Sequence, residues 1–133
     1  MPQIRISDAA RFLGVSDDTL RRWISSGELT AQADDAGKKV VDGAELARFS
    51  RERSSHVPSP EGFSSVRNRF VGLVTQVTSD PVMSQVELQC GPYRVVSLIS
   101  TEAVRDLGLE PGVVATASMK ATNVGIDRPE ASR

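Results

Sequence analysis

One stretch divides the chain. Residues 54 to 65 read SSHVPSPEGFSS, with two prolines, a glycine and five serines. Such a segment has no apolar stripe to bury, and its prolines and glycine interrupt helix and strand alike. Before it, apolar residues recur at three- and four-residue spacing. After it, they alternate. A chain of 133 residues split in this way is expected to form two small domains of an α+β class. The expected boundaries are residues 1–53, a linker at 54–63, a second domain at 64–127 and a tail at 128–133.

The first part reads as helices. Ser7 is expected to cap a helix, with Asp8 near its positive end and Ala10 and Leu13 on its inner side. Gly14-Val15 breaks that helix. Ser16 is expected to cap a second, in which Leu20, Trp23 and Ile24 share a face and Gly27 supplies a left-handed ending. Two short helices joined by a tight glycine turn make a helix-turn-helix. Leu29-Thr30-Ala31 and Lys38-Lys39-Val40-Val41 flank a turn and predict a small hairpin, or wing. Asp42 and Glu45 then form a capping box for a third helix carrying Leu46 and Phe49.

The second part reads as strands. Val71, Leu73 and Val77 form one apolar series, and Val82, Val86, Leu88 and Cys90 a second. Tyr93, Val95, Ser97 and Ile99 form a third, after a Gly91-Pro92 turn. A helix is expected from Ser100 to Leu107, closed by Gly108, and a last β segment after Pro111-Gly112. Five short strands and one helix in this length predict a small five-stranded barrel of the oligonucleotide/oligosaccharide-binding type. So short a domain buries little core, which favours association with a second copy.

Several function classes are excluded by what the chain lacks. Histidine is represented only by His56, in the linker, and cysteine only by Cys90, in an alternating apolar series that reads as a buried strand. No Cys/His cluster, phosphate-cradling glycine loop or nucleophile motif is present, so an enzyme is not expected. Asp34-Asp35 fits a turn better than a metal site, and Met83 and Met119 fit core or interface. The start shows no signal-peptide pattern and no apolar run is long enough to cross a bilayer, so a cytoplasmic protein with no membrane partner is expected. Residues 1–56 hold nine basic and nine acidic residues, and residues 57–133 hold seven and eight. Neither half is a basic tail, so any nucleic-acid contact must come from basic residues focused on one face.

The first domain has the parts for that. Ser16, Thr19 and Arg22 fall on one face at the start of the second helix, where free backbone N–H groups also meet phosphates. Arg21 or Asp18 can face base edges, and Lys38 and Lys39 add phosphate contacts from the wing. A solvated charged helix face is the alternative, and the order helix, turn, helix, lysine-tipped hairpin and capped helix favours double-stranded DNA. The stretch RISDAARFLGVSDDTLRRWISSGELTA resembles the winged helix-turn-helix of MerR-type regulators and phage excisionase-like proteins. Ala9-Ala10, Leu13-Gly14-Val15-Ser16, Thr19 to Trp23 and Gly27-Glu28-Leu29 carry the resemblance, which covers residues 1 to about 53. It implies that the second helix enters the major groove and the wing grips the flanking backbone. The long dimerising coiled coil of full MerR proteins has no counterpart, since residues from 54 onward show no apolar heptad. Any dimer must form through the second domain.

The second domain has polar groups at its element ends. Ser65, Arg67 and Asn68 precede the first strand, Ser100 and Thr101 start the helix, and Lys120, Ala121 and Thr122 lie in the last segment. A tetrahedral dianion needs convergent donors of these kinds. In a closed barrel such ends can be neighbours, within one subunit or across a dimer. The alternative is that Ser100 only caps the helix while Arg67 and Lys120 are solvated. The stretches SSVRNRFVGLVTQVTSDPVMSQVELQ and LISTEAVRDLGLEPGVVATASMKATNV resemble the Mop, or TOBE-type, molybdate-binding domain. The family's Ser-Ala-Arg-Asn start is present as Ser65-Val66-Arg67-Asn68, its strand glycine as Gly72, and its Lys-Ala-Ser/Thr signature as Lys120-Ala121-Thr122. The stretch before and through the helix is present as Ser97 to Leu109. The resemblance implies molybdate or tungstate bound at a subunit interface by Ser65, Arg67, Lys120, Thr122 and the Ala121 backbone, with Ser100 and Thr101 completing the shell from the same or another subunit.

Three functions fit this pairing. The first is a regulator whose DNA binding responds to the oxyanion, in a homodimer or higher homo-oligomer. The second is a molybdate storage or buffering protein, and the third a DNA-binding protein that uses the barrel only to oligomerise. Arg67 and Lys120 weigh against the third, and the helix-turn-helix against the second.

Overall fold

The computed structural model describes residues 2–53 and 64–129, so the linker expected at 54–63 and the end of the tail lie outside the described residues. The chain divides into two compact units, Met1–His56 and Val57–Arg133.

The first unit runs β1 (Gln3–Arg5), α1 (Ile6–Leu13), α2 (Asp17–Ser25), β2 (Ala31–Ala33), β3 (Lys39–Asp42) and α3 (Gly43–Arg53). Its three strands form an antiparallel sheet in the order β1-β3-β2. The hairpin β2–β3 is the expected wing. Strand β1, which is not among the expected elements, turns the hairpin into a sheet by pairing Ile4 with Val41. Helix α1 also begins one residue before the expected cap. Arg5 is its N-cap with no side-chain bond, and Ser7 sits inside the first turn. Strand β1 runs straight into this helix, which puts the cap position at Arg5 instead of the serine.

The other boundaries follow local chemistry. Gly14 closes α1 at φ 68, a left-handed conformation that a side chain disfavours. Ser16 caps α2 by accepting from Thr19 N at 3.1 Å. Helix α2 ends at Ser25, and Gly27 takes the positive φ of 86° just beyond. Asp42 caps α3 through Glu45 N at 3.1 Å, but Glu45 does not close the box: its carboxylate accepts instead from Thr30 N at 3.0 Å. The α3 start is thereby tied to the entrance of β2. The core gathers Ile6, Ala9 and Ala10 of α1, Leu20 of α2, and Leu46 and Phe49 of α3 around Leu29 and Val41.

The second unit runs β4 (Asn68–Ser79), β5 (Met83–Cys90), β6 (Tyr93–Ser100), α4 (Thr101–Leu107) and β7 (Val114–Met119), followed by a 3-10 turn at Ala121–Asn123. The four strands form one antiparallel sheet in the order β6-β5-β4-β7. This is the curled sheet of the expected oligonucleotide/oligosaccharide-binding-like fold, with four strands among the described residues against the five expected. The long β4 serves twice. Residues 68–73 pair with β7 and residues 73–79 with β5, so Leu73 is held on both sides.

A bulge in β4 resets its alternation. Val74 pairs with Leu88 and Gln76 with Glu87, which leaves Thr75 extra. Val74 and Val77, three residues apart, therefore both face the core with Val86, Leu88 and Val104. Val71 and Leu73, expected in the same series as Val77, face outward and are 55% and 46% exposed. Val82, expected in the second series, is likewise exposed. Among the described residues, no helix is long and apolar enough to cross a membrane.

Candidate functional site

In the first unit, the start of α2 forms a hydroxyl–guanidinium chain. Ser16 Oγ donates to Thr19 Oγ1 at 3.0 Å, and Arg22 Nη2 donates to the same Thr19 Oγ1 at 3.3 Å. Spacing of three residues along the helix puts all three side chains on one exposed face. Arg21 pairs with Asp18 at 3.7 Å, and both are largely exposed, so this arginine's charge is partly offset. Arg22 has no carboxylate partner among the described residues. In the wing, Asp34 Oδ1 accepts from Ala36 N and Lys38 N, each at 2.9 Å. That turn leaves Lys38 and Lys39 exposed.

Trp23 and Phe49 pack with ring centroids 5.0 Å apart and planes tilted by 55°. The Arg53 guanidinium lies 4.9 Å from the Trp23 ring and 4.6 Å from the Phe49 ring, and it pairs with Glu28. This clamp fixes the end of α3 to α2. The sequence showed Trp23 and Phe49 as core and gave no sign of Arg53, because its partners come from three separate segments.

In the second unit, two of the three expected donor groups come together. Asn68 pairs with Met119 across β4 and β7, and its Nδ2 donates to Met119 O at 3.3 Å. The residues just outside this pair are Arg67 and Lys120. Neighbouring strands lie about 5 Å apart, so the backbones at Arg67 and Lys120 continue from the same end of the β4–β7 ladder. Arg67 Nη1 donates to Ser64 O at 2.8 Å, and Val66 N to Ser64 Oγ at 3.1 Å, which folds the loop before β4 onto itself. Lys120 precedes the 3-10 turn, and its carbonyl accepts from Asn123 N at 2.9 Å. Ser65, Ala121 and Thr122 are exposed around this point.

The third group is elsewhere in the chain. Ser100 pairs with Met83, and Ser84 with Ser79, so Ser100 and Thr101 belong to the far end of β4. Eleven residue steps at about 3.3 Å amount to roughly 35 Å of strand between the two ends. Ser100 caps α4 through Ala103 N at 3.1 Å. Thr101 is buried and its hydroxyl donates to Asp80 O at 2.7 Å. A hydroxyl has one proton, so Ser84 must donate to Thr101 at 2.8 Å and Ser79 to Ser84 at 2.7 Å. One chain alone does not join Ser100 and Thr101 to Arg67 and Lys120.

Electrostatics elsewhere in this unit are structural. The Asp80 carboxyl is held below its ordinary value by the N–H groups of Met83 and Val82, each at 2.7 Å. Glu87 is likewise lowered by its pairing with Arg94. Among the described residues, no cluster of His, Cys, Asp and Glu could hold a metal ion.

The comparisons with known proteins follow the two units. Residues 64–126 match the TOBE domain model. The same region is 38% identical over 63 residues to molybdenum-pterin-binding protein 3 of Clostridium pasteurianum, covering 47% of this chain and 93% of that protein. The chain belongs to the TOBE-domain family. Ahead of the TOBE domain, residues 4–54 match a helix-turn-helix domain model. Neither is an enzyme family. Molybdenum-pterin-binding protein MopA of Rhodobacter capsulatus is 28% identical over 135 residues, covering 84% of this chain. The chain spans about half, 51%, of MopA's length. A solved molybdate-binding protein from Sporomusa ovata is 29% identical, with a TM-score of 0.48, covering 50% of this chain and 98% of that one.

Proposed function

We propose that this protein is a DNA-binding transcriptional regulator whose TOBE domain takes molybdate or tungstate at a subunit interface. The observation that carries the reading is the pair Arg67 and Lys120. They flank the Asn68–Met119 bridge on neighbouring strands, with no carboxylate partner among the described residues. A tetrahedral dianion supplies the charge that this point lacks. Ser65, Thr122 and the Ala121 amide are the neutral donors nearest in sequence. Two TOBE-domain relatives bear the name molybdenum-pterin-binding protein, which supports molybdenum as the element of that anion.

A subunit interface is supported by two features. The outer sheet face exposes Val71, Leu73 and Val114, and Leu73 lies directly opposite Val114. An apolar face of that kind is stabilised by a second copy. Ser100 and Thr101 reach the anion only from another subunit, and the Thr101 hydroxyl must first leave its core bond. The neighbouring helix-turn-helix, with Ser16, Thr19, Arg22, Lys38 and Lys39 toward phosphates and Asp18 and Arg21 toward bases, supports DNA as the partner. The anion changes DNA affinity by as much as it prefers one arrangement of the subunits over another.

The test is calorimetric titration with molybdate, with sulfate as control, followed by DNA-binding assays with and without the anion. Sulfate-resistant molybdate binding in whole-number stoichiometry per oligomer, with a shift in DNA affinity, is the expected result. Molybdate binding that leaves DNA affinity unchanged would point to storage or buffering. Absence of binding by a folded sample would reduce the barrel to an oligomerisation module.

A further inference from the structure

Arg69 lies outside the Ser-Val-Arg-Asn and Lys-Ala-Thr stretches, on β4 opposite Ser118. A charged residue there reads as a solvated strand position. The structure gives it a different setting. Arg69 Nη2 turns back five residues to donate to Ser64 Oγ at 3.2 Å. Arg67 Nη1 donates to the carbonyl oxygen of the same Ser64 at 2.8 Å. Two guanidinium groups are therefore drawn to one residue, beside the point where Lys120 leaves β7.

Among the described residues their charge is unmatched. The ion pairs of the described residues are Arg11–Asp8, Arg21–Asp18, Arg53–Glu28 and Arg94–Glu87. None includes Arg67, Arg69 or Lys120. Ser64 offers neutral acceptors only, and the bonds named use one donor of each guanidinium's five. Like charges gathered this way repel, and a nearby anion relieves the repulsion in proportion to its own charge.

We propose that Arg69 is a second guanidinium ligand of the oxyanion, and that the Arg67–Arg69 pair selects tetrahedral anions carrying two negative charges over those carrying one. The inference deepens the oxyanion reading above and rests on it. Charge-assisted bonds from two planar forks reach different oxygens of a tetrahedron. To make them, Arg69 gives up only a 3.2 Å bond to a neutral, exposed hydroxyl. A dianion offsets two of the three positive charges of Arg67, Arg69 and Lys120, whereas a monoanion of the same shape offsets one.

Molybdate and perrhenate provide the comparison, since both are tetrahedral and they differ in charge. The full chain, Arg69→Ala, Arg69→Lys and Ser64→Ala are titrated with each by calorimetry. Arg69→Ala is expected to weaken molybdate about tenfold and perrhenate less than about threefold, with Arg69→Lys in between. Ser64→Ala is expected to leave the molybdate-to-perrhenate ratio unchanged. If Arg69 only braces the loop through Ser64, Arg69→Ala and Ser64→Ala weaken both anions alike, and the proposal falls. Molybdate binding by Arg69→Ala equal to that of the parent chain overturns it too, leaving Arg67 and Lys120 as the site. If the parent chain binds phosphate or sulfate but not molybdate, and Arg69→Ala still costs about tenfold, Arg69 stands and the molybdate reading falls. If it binds none of molybdate, tungstate, phosphate and sulfate, both are wrong.

Discussion

Gly72 and Cys90 share a space that admits one side chain. A Cβ on Gly72 would lie 2.5 Å from Cys90 Sγ and 2.7 Å from Gln89 O. Cys90 is buried, and its thiol donates to Phe70 O at 3.8 Å. The glycine lets β4 and β5 approach where the sheet curls.

Gly72→Ala should therefore destabilise the second unit by about 2–3 kcal/mol, through overpacking. Chemical denaturation checks it. Adding Cys90→Ala removes the sulfur but leaves the Gln89 carbonyl, so the double variant should recover only part of the loss. Full recovery would show that the sulfur alone sets the limit.

Arg67→Ala combined with Lys120→Ala should lower molybdate affinity by about 100-fold or more, because both charge-assisted contacts go together. Calorimetry reads the affinity and circular dichroism confirms the fold. Affinity equal to that of the parent chain would place the anion elsewhere.

Arg22→Ala should weaken DNA binding roughly uniformly across sequences and reduce the salt slope by about one. The Ser16–Thr19–Arg22 chain orients the guanidinium without a competing carboxylate. Fluorescence anisotropy at several salt concentrations measures the slope, and an unchanged slope would remove Arg22 from the phosphate contacts.

Asp80 should make the second unit acid-sensitive. Its carboxyl sits below the ordinary 3.8 because the N–H groups of Met83 and Val82 favour the charged form. A carboxyl lowered on folding contributes its full stability above the unfolded value and loses it as pH falls through the folded value. Between about pH 5 and pH 2, the parent chain should lose stability more steeply than Asp80→Asn. Parallel curves in thermal unfolding would mean that Asp80 plays no part.

What the sequence revealed depended on how locally each feature is determined. Ser16, Gly14 and Asp42 act within a few residues, so the cap at α2, the end of α1 and the cap at α3 were readable. Strand β1 was not, because Gln3–Arg5 has its partner in Val40–Asp42. Plain alternation points to Val71 and Leu73 instead of Val74, because the extra Thr75 shifts it and no local signal announces a bulge there. Arg67 and Lys120 stand out through their motifs, and the Asn68–Met119 pair puts their backbones at the same end of neighbouring strands. Ser100 and Thr101 are also element ends, but which ends meet is a property of strand order.

The bulge at Thr75 has a consequence for how such a domain can change over time. A single-residue insertion or deletion elsewhere in β4 would swap the faces of every side chain on one side of it. At Thr75 the ladder already accommodates one unmatched residue, between Val74 and Gln76. Length variation among descendants of this chain should therefore collect at that position, while the strand on either side keeps a fixed count.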